Sequence, residues 1–99
     1  MVARIATYTY SGDAQELSQR AEAGMLPILK EQPGFRSYAI AFSEDKVFSS
    51  SAWDSRAEAE SGSAAVASWV AENMSEISPL GSVEYAEVAF STALGVSTS

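Results

Sequence analysis

The chain has no cysteine and no histidine, and its 99 residues contain a single asparagine, Asn73. Without thiols there are no disulfides, no thiolate nucleophile and no cysteine-based zinc site. Without imidazole there is no histidine-ligated haem and no triad in which histidine is the general base. Positive charge is scarce as well: six Lys+Arg stand against thirteen Asp+Glu, a net charge of −7. A field of that sign repels phosphate backbones and anionic lipid surfaces, so neither nucleic acid nor a membrane is an expected partner. No run is long and apolar enough to span a bilayer, and Met1-Val2-Ala3-Arg4-Ile5 lacks the pattern of a signal peptide. A cytoplasmic protein is the default expectation.

What remains is a globular composition, 46% hydrophobic and 19% charged, in a chain sized for one domain with a two-layer core. The punctuation of the chain is informative. Gln32-Pro33-Gly34-Phe35 and Ser51-Ala52-Trp53-Asp54-Ser55-Arg56 mark two places where helix and sheet exchange the chain, with a hairpin around Glu44-Asp45 between them. One helical pattern precedes that hairpin and another follows it. Single strands lie at both ends, so the order is β-α-β-β-α-β.

Residues 2–10 are rich in β-branched and aromatic side chains, and Ser11-Gly12 ends the run. Neither alternating face is strongly polar, which predicts a strand covered on both sides. Asp13 and Glu16 have the spacing of a capping box, and Leu17, Ala21, Met25, Ile28 and Leu29 recur at helical spacing. Pro27 inside that stripe predicts a kink or a broken last turn. In the second strand Arg36, Tyr38, Ile40 and Phe42 alternate with Ser37, Ala39, Ala41 and Ser43. The small face is expected to take a closely packed helix and the large face a second apolar surface. Ser49-Ser50-Ser51 weakens the third strand as a core strand and leaves room beside it. Ser55 and Glu58 form a second capping box, ahead of a helix with Val66, Val70, Met74 and Ile77 on one stripe, ended by Pro79 and Gly81. The last strand is expected over residues 83–91. Residues 92–99 form a small polar tail, disordered or laid on a neighbour.

The fold class is therefore α+β: a ferredoxin-like βαββαβ domain over residues 1–91, with a four-stranded antiparallel sheet and both helices on one face. Such a sheet has two apolar sides, and two helices cover one of them. A homodimer packed sheet face to sheet face is the simple remedy.

At this point the chain resembles the dimeric α/β-barrel superfamily, in particular its antibiotic-biosynthesis-monooxygenase-like branch. The resemblance is carried by Pro33-Gly34-Phe35 and Trp53-Asp54-Ser55-Arg56 at their spacing within the element order. It implies a homodimer of ferredoxin-like subunits. In part of that family it also implies oxidation of aromatic polyketides or quinols by molecular oxygen with no metal, flavin or other cofactor. Haem-degrading relatives use a histidine in the second helix and an asparagine in the sheet; this chain has neither, since Asn73 lies late in its second helix. In the cofactor-free oxygenases a sheet tryptophan, an asparagine, a tyrosine and an arginine help to bind the substrate or its oxyanion. Trp53 matches the tryptophan, and Ser49 stands where the asparagine is expected.

Four residues are the candidates for a site. Trp53 stacks on an aromatic ligand, or plugs the corner between sheet and second helix. Tyr8 and Tyr38, with Tyr85 on a third strand, converge on one cleft as oxyanion donors, or face the partner sheet. Arg36 clamps a carboxylate or phenolate, or pairs with an acid of a neighbouring strand. A tyrosine base needs a nearby cation, for which Arg4 and Arg36 are available. The expected function is cofactor-independent oxidation of a small aromatic or quinol substrate between sheet and helices. The alternative is a non-catalytic dimeric module of the same fold that binds a small ligand or is purely structural.

Overall fold

The computed structural model describes residues 1–98. Its elements run β1 (Val2–Tyr10), α1 (Ala14–Lys30), β2 (Phe35–Phe42), β3 (Lys46–Trp53), α2 (Arg56–Asn73), β4 (Ile77–Pro79) and β5 (Glu84–Glu87). All pairings are antiparallel. The sheet runs β2-β3-β1, and β4 and β5 share the free edge of β1, one beside Tyr8–Tyr10 and the other beside Val2–Ile5. The fold is the expected ferredoxin-like βαββαβ, with its last strand in two pieces. Among the described residues no helix is long and apolar enough to cross a membrane.

The N-cap arm of each capping box forms, but the returning arm does not: Glu16 pairs with Arg20 and Glu58 accepts the Ser55 hydroxyl. Asp13 accepts the Glu16 amide at 3.3 Å and Ser55 accepts the Glu58 amide at 3.2 Å, each satisfying a donor that the first helical turn leaves free. The α1 stripe buries Leu17, Ala21, Met25 and Leu29. Pro27 does not break the last turn: α1 continues to Lys30, and the Glu31 amide closes on the carbonyls of Ile28 and Leu29.

The C-terminal third departs from the periodicity. α2 ends at Asn73, so Met74 is its cap and Ile77 belongs to β4 rather than to the helical stripe. An interaction from outside the helix marks this end: Arg20 of α1 donates to the Asn73 carbonyl at 2.8 Å, a cationic donor where the last turn of α2 has none of its own. Pro79 therefore sits in a short edge strand, where a missing amide is tolerated. The single strand expected over residues 83–91 shrinks to Glu84–Glu87. Beyond it Ser91 and Val96 exchange two backbone hydrogen bonds, so the tail closes on itself through a turn with Gly95 at φ +70°.

The expectation for the two sheet faces is reversed. The large face of β2 looks toward the helices: Tyr38 and Phe42 pack against Leu17, Ala21 and Met25. The small face is the bare one, with Ala39 and Ala41 exposed beside Ile5 and Phe48, 44% and 45% exposed. Bulk is needed where helices stand off from a sheet and leave a gap to fill; the open face carries mostly small residues around two large ones.

Candidate active site

The two turn motifs meet in space. The Asp54 amide donates to the Gly34 carbonyl at 2.9 Å, Arg36 pairs with Asp54, and the Phe35 and Trp53 rings meet edge to face at 5.4 Å between centroids. Gly34 has φ +79°, a conformation that favours glycine, and the Glu58 carboxyl fills the space a Cβ would take. Trp53 is wholly buried here against Leu29, Ala59 and Val66. Its ring lies so close to Gly62 of α2 that an added Cβ would fall 2.1 Å from it.

Further along the same strands the layers part around a cavity of about 330 Å³. The sheet supplies Arg4, Tyr8, Tyr38, Ile40, Val47, Ser49 and Ser51; α1 supplies Met25 and Leu29; α2 supplies Ser63, Val66, Ala67, Val70 and Ala71. Met74, Ile77 and Pro79 close one end. The exposed Ala67, Ala71 and Pro79 mark the mouth. The serine run explains the hollow. β3 is an interior strand, paired on both edges, despite those serines, and Ser49 and Ser51 are buried, but their side chains are too short to fill the layer above them.

The hydroxyls inside are organised by strand register. Tyr38 lies opposite Ser51 and Ser51 opposite Arg4, so the three form a row across the inner face. Ser49 Oγ donates to Tyr38 Oη at 3.1 Å, which leaves the phenol's own proton free for a ligand. Ser51 Oγ accepts the buried Trp53 indole N–H at 2.8 Å. Burial pushes the Tyr38 phenol above its ordinary value of 10.0, and the Tyr8 ring adds to the rise while the Ser49 bond and the Arg4 charge oppose it. Tyr38 is thus a protonated donor at neutral pH, and the base role considered for a tyrosine does not fall to it.

Of the four sequence candidates, Tyr8 and Tyr38 come together in the cavity, and they face the helices rather than a partner sheet. Trp53 lies behind the wall, joined to it through Ser51. Arg36 lies outside. A bulge between Phe35 and Ser37 makes it the extra residue of β2, taking it off the face its alternation with Tyr38 suggested, and it ends half-exposed on Asp54. Tyr85 also stays away from the cavity, under Arg56 at 4.5 Å. Arg4 is the site residue that the list of candidates omitted. Its signal was present, since Arg4 shares the β1 face of Tyr8 by simple alternation. Among the described residues no group of three or more acidic side chains could hold a metal ion.

No family model and no curated protein matches the chain by sequence. Solved structures match by shape. SnoaB, a cofactor-independent oxygenase from Streptomyces nogalater, superposes with a TM-score of 0.70 at 11% identity, over 92% of this chain and 95% of that one. The monooxygenase ActVA-Orf6 of Streptomyces coelicolor, solved with nanaomycin D, gives a TM-score of 0.63 at 22% identity over 86% and 82%. The chain shares the ferredoxin-like fold of these structures and of a protein from Chloroflexus aurantiacus described as a putative antibiotic biosynthesis monooxygenase, with a TM-score of 0.60 at 15% identity. MupZ from Pseudomonas fluorescens has a TM-score of 0.71 at 12% identity, over 85% of this chain and 69% of that one. Identities this low speak for the fold alone and leave the reaction to be argued from the cavity.

Proposed function

We propose that this chain is a cofactor-independent monooxygenase acting on a small aromatic or quinol substrate held between sheet and helices, in a cytoplasmic homodimer. The observation that carries the reading is the cavity wall. It is apolar on the helix side except for Ser63 and carries a free phenolic donor, Tyr38, beside Tyr8 and Arg4 on the sheet side. A substrate ionised at a ring hydroxyl would rest its oxyanion on those donors. It then passes one electron to oxygen, and substrate radical and superoxide recombine at carbon as a hydroperoxide. Loss of water leaves a carbonyl, with one oxygen atom in the product and the other in that water. The protein has to supply donors and a dry wall, and Trp53 serves as a positioning residue by fixing Ser51. Arg36 has no part in this scheme. Dimerisation through the face of Ile5 and Phe48 covers the apolar side that the helices leave open.

The test is oxygen uptake with a panel of small quinols and hydroxynaphthalenes, with ¹⁸O₂ to trace the inserted atom. Tyr38→Phe is expected to lower kcat roughly 10²–10³-fold, the usual cost of one oxyanion donor, with an unchanged circular dichroism spectrum. Light scattering after size exclusion checks the dimer. A second reading has one observation in its favour: the wall holds no carboxylate to act as base. Under that reading the protein is a small-ligand-binding module of the same fold, and it binds panel members with no oxygen uptake above buffer.

A further inference from the structure

Arg4 is the single formally charged side chain of the cavity, and it stands alone. The other arginines each meet a carboxylate: Arg20 on Glu16 and Glu76, Arg36 on Asp54, Arg56 on Glu60. Acids outnumber bases thirteen to six in this chain, so the isolation of Arg4 is not for want of partners. Its Nε is buried and has no acceptor, while every other buried side-chain polar atom among the described residues is satisfied. A buried donor left unpaired opposes folding, and a guanidinium more than most. Its neighbours across the sheet offer no compensation: Ser51 is occupied by the Trp53 indole, and the Tyr38 phenol keeps its proton.

We infer that a ligand carboxylate completes this site, so that the cavity takes a small aromatic acid with its anionic end on Arg4 and its ring against Met25, Leu29, Val66 and Met74. The inference rests on the reading of the cavity as a ligand site and names the class of molecule that fits it. The guanidinium is a planar fork whose donors match the two oxygens of a carboxylate; a single phenolate oxygen would satisfy fewer of them. The volume of about 330 Å³ is at the small end for ligand pockets, which favours one or two rings over a polycycle.

Calorimetric titration of the full chain with 2-naphthoate, 2-naphthamide and 2-naphthol tests this directly. The acid is expected to bind at least roughly tenfold more tightly than the isosteric amide and than the naphthol, in line with the strength of charge-assisted pairs. Arg4→Met erases that preference, and Arg4→Lys keeps part of it. Because Arg4→Met removes an unsatisfied buried donor, it also raises the Tm of the unliganded protein, by roughly 4–8 °C. Equal affinity for acid and amide, which needs no variant to measure, overturns the proposal and leaves the oxygenase reading standing. Tighter binding of the naphthol overturns it too, by moving the anion to a ring hydroxyl. Acid-selective binding that vanishes in Arg4→Met, without oxygen uptake, supports the proposal and removes the oxygenase. Failure of all three probes to bind removes both.

Discussion

Where β2 starts and β3 stops, a methyl group added to Gly62 would collide with the edge of the Trp53 ring; midway along the same strands, about 330 Å³ stands open. The two regions share strands and helices and differ in what those strands project. At the junction the inward side chains are Phe35 and Trp53, answered on the helix side by glycine and alanine, so large meets small and the layer closes. In the cavity the sheet contributes Ser49 and Ser51 and the second helix Ser63, Ala67 and Ala71, side chains too short to close the layer. Close packing gives the junction its stability, while the polar groups of the cavity are left for something else to satisfy.

The comparison breaks most readily at Trp53. Trp53→Ala is expected to cost about 3–5 kcal/mol, the scale for a large buried aromatic, read as a fall in the urea midpoint. A loss below about 1 kcal/mol would mean that the junction is no better packed than the cavity. Gly62→Ala follows at about 1–3 kcal/mol, because the new Cβ forces ring and helix apart. Gly81→Ala, with nothing within 4 Å of the added carbon, serves as its control. Ser51 belongs to both regions. Ser51→Ala strands the indole N–H and should cost about 1–2 kcal/mol, and tryptophan emission measured in a Trp69→Phe background reports whether Trp53 has moved.

The smallest effect lies away from both regions, at Glu76. Its own backbone amide, and then Arg20, hold its carboxyl below the ordinary carboxylate range. A depressed folded-state pKa contributes stability above the unfolded value and loses it as pH falls through the folded one. The Tm gap between the parent chain and Glu76→Gln should therefore be present at pH 7 and close on acidification below about pH 4. A gap that persists at pH 3 would assign the contribution to shape rather than charge.

Much of this was legible in local pattern. Asp13 and Ser55 announced the helix starts, Leu17 to Leu29 the buried stripe, and the Glu44-Asp45 turn the hairpin. Ser49 and Ser51 announced room beside their strand, and alternation put Tyr8 on an inner face. Other features escaped for physical reasons. Ile77 continues the periodicity of α2, yet the helix stops at Asn73, whose carbonyl takes an arginine from the other helix. The bulge at Arg36 breaks alternation by one residue and costs that side chain its place on the inner face. Side-chain size on β2 did not reveal which face the helices choose, because a small face suits both a close helix and an open surface.

By itself the order of residues determined the two helices, the hairpin, the turn chemistry at Gly34 and the absence of thiol and imidazole chemistry, since each depends on neighbours within a few positions. Tertiary structure alone decided which face is bare and which arginine goes unpaired. Ion pairs such as Arg20 with Glu76 join residues 56 positions apart, and local spacing carries no information about contacts of that range.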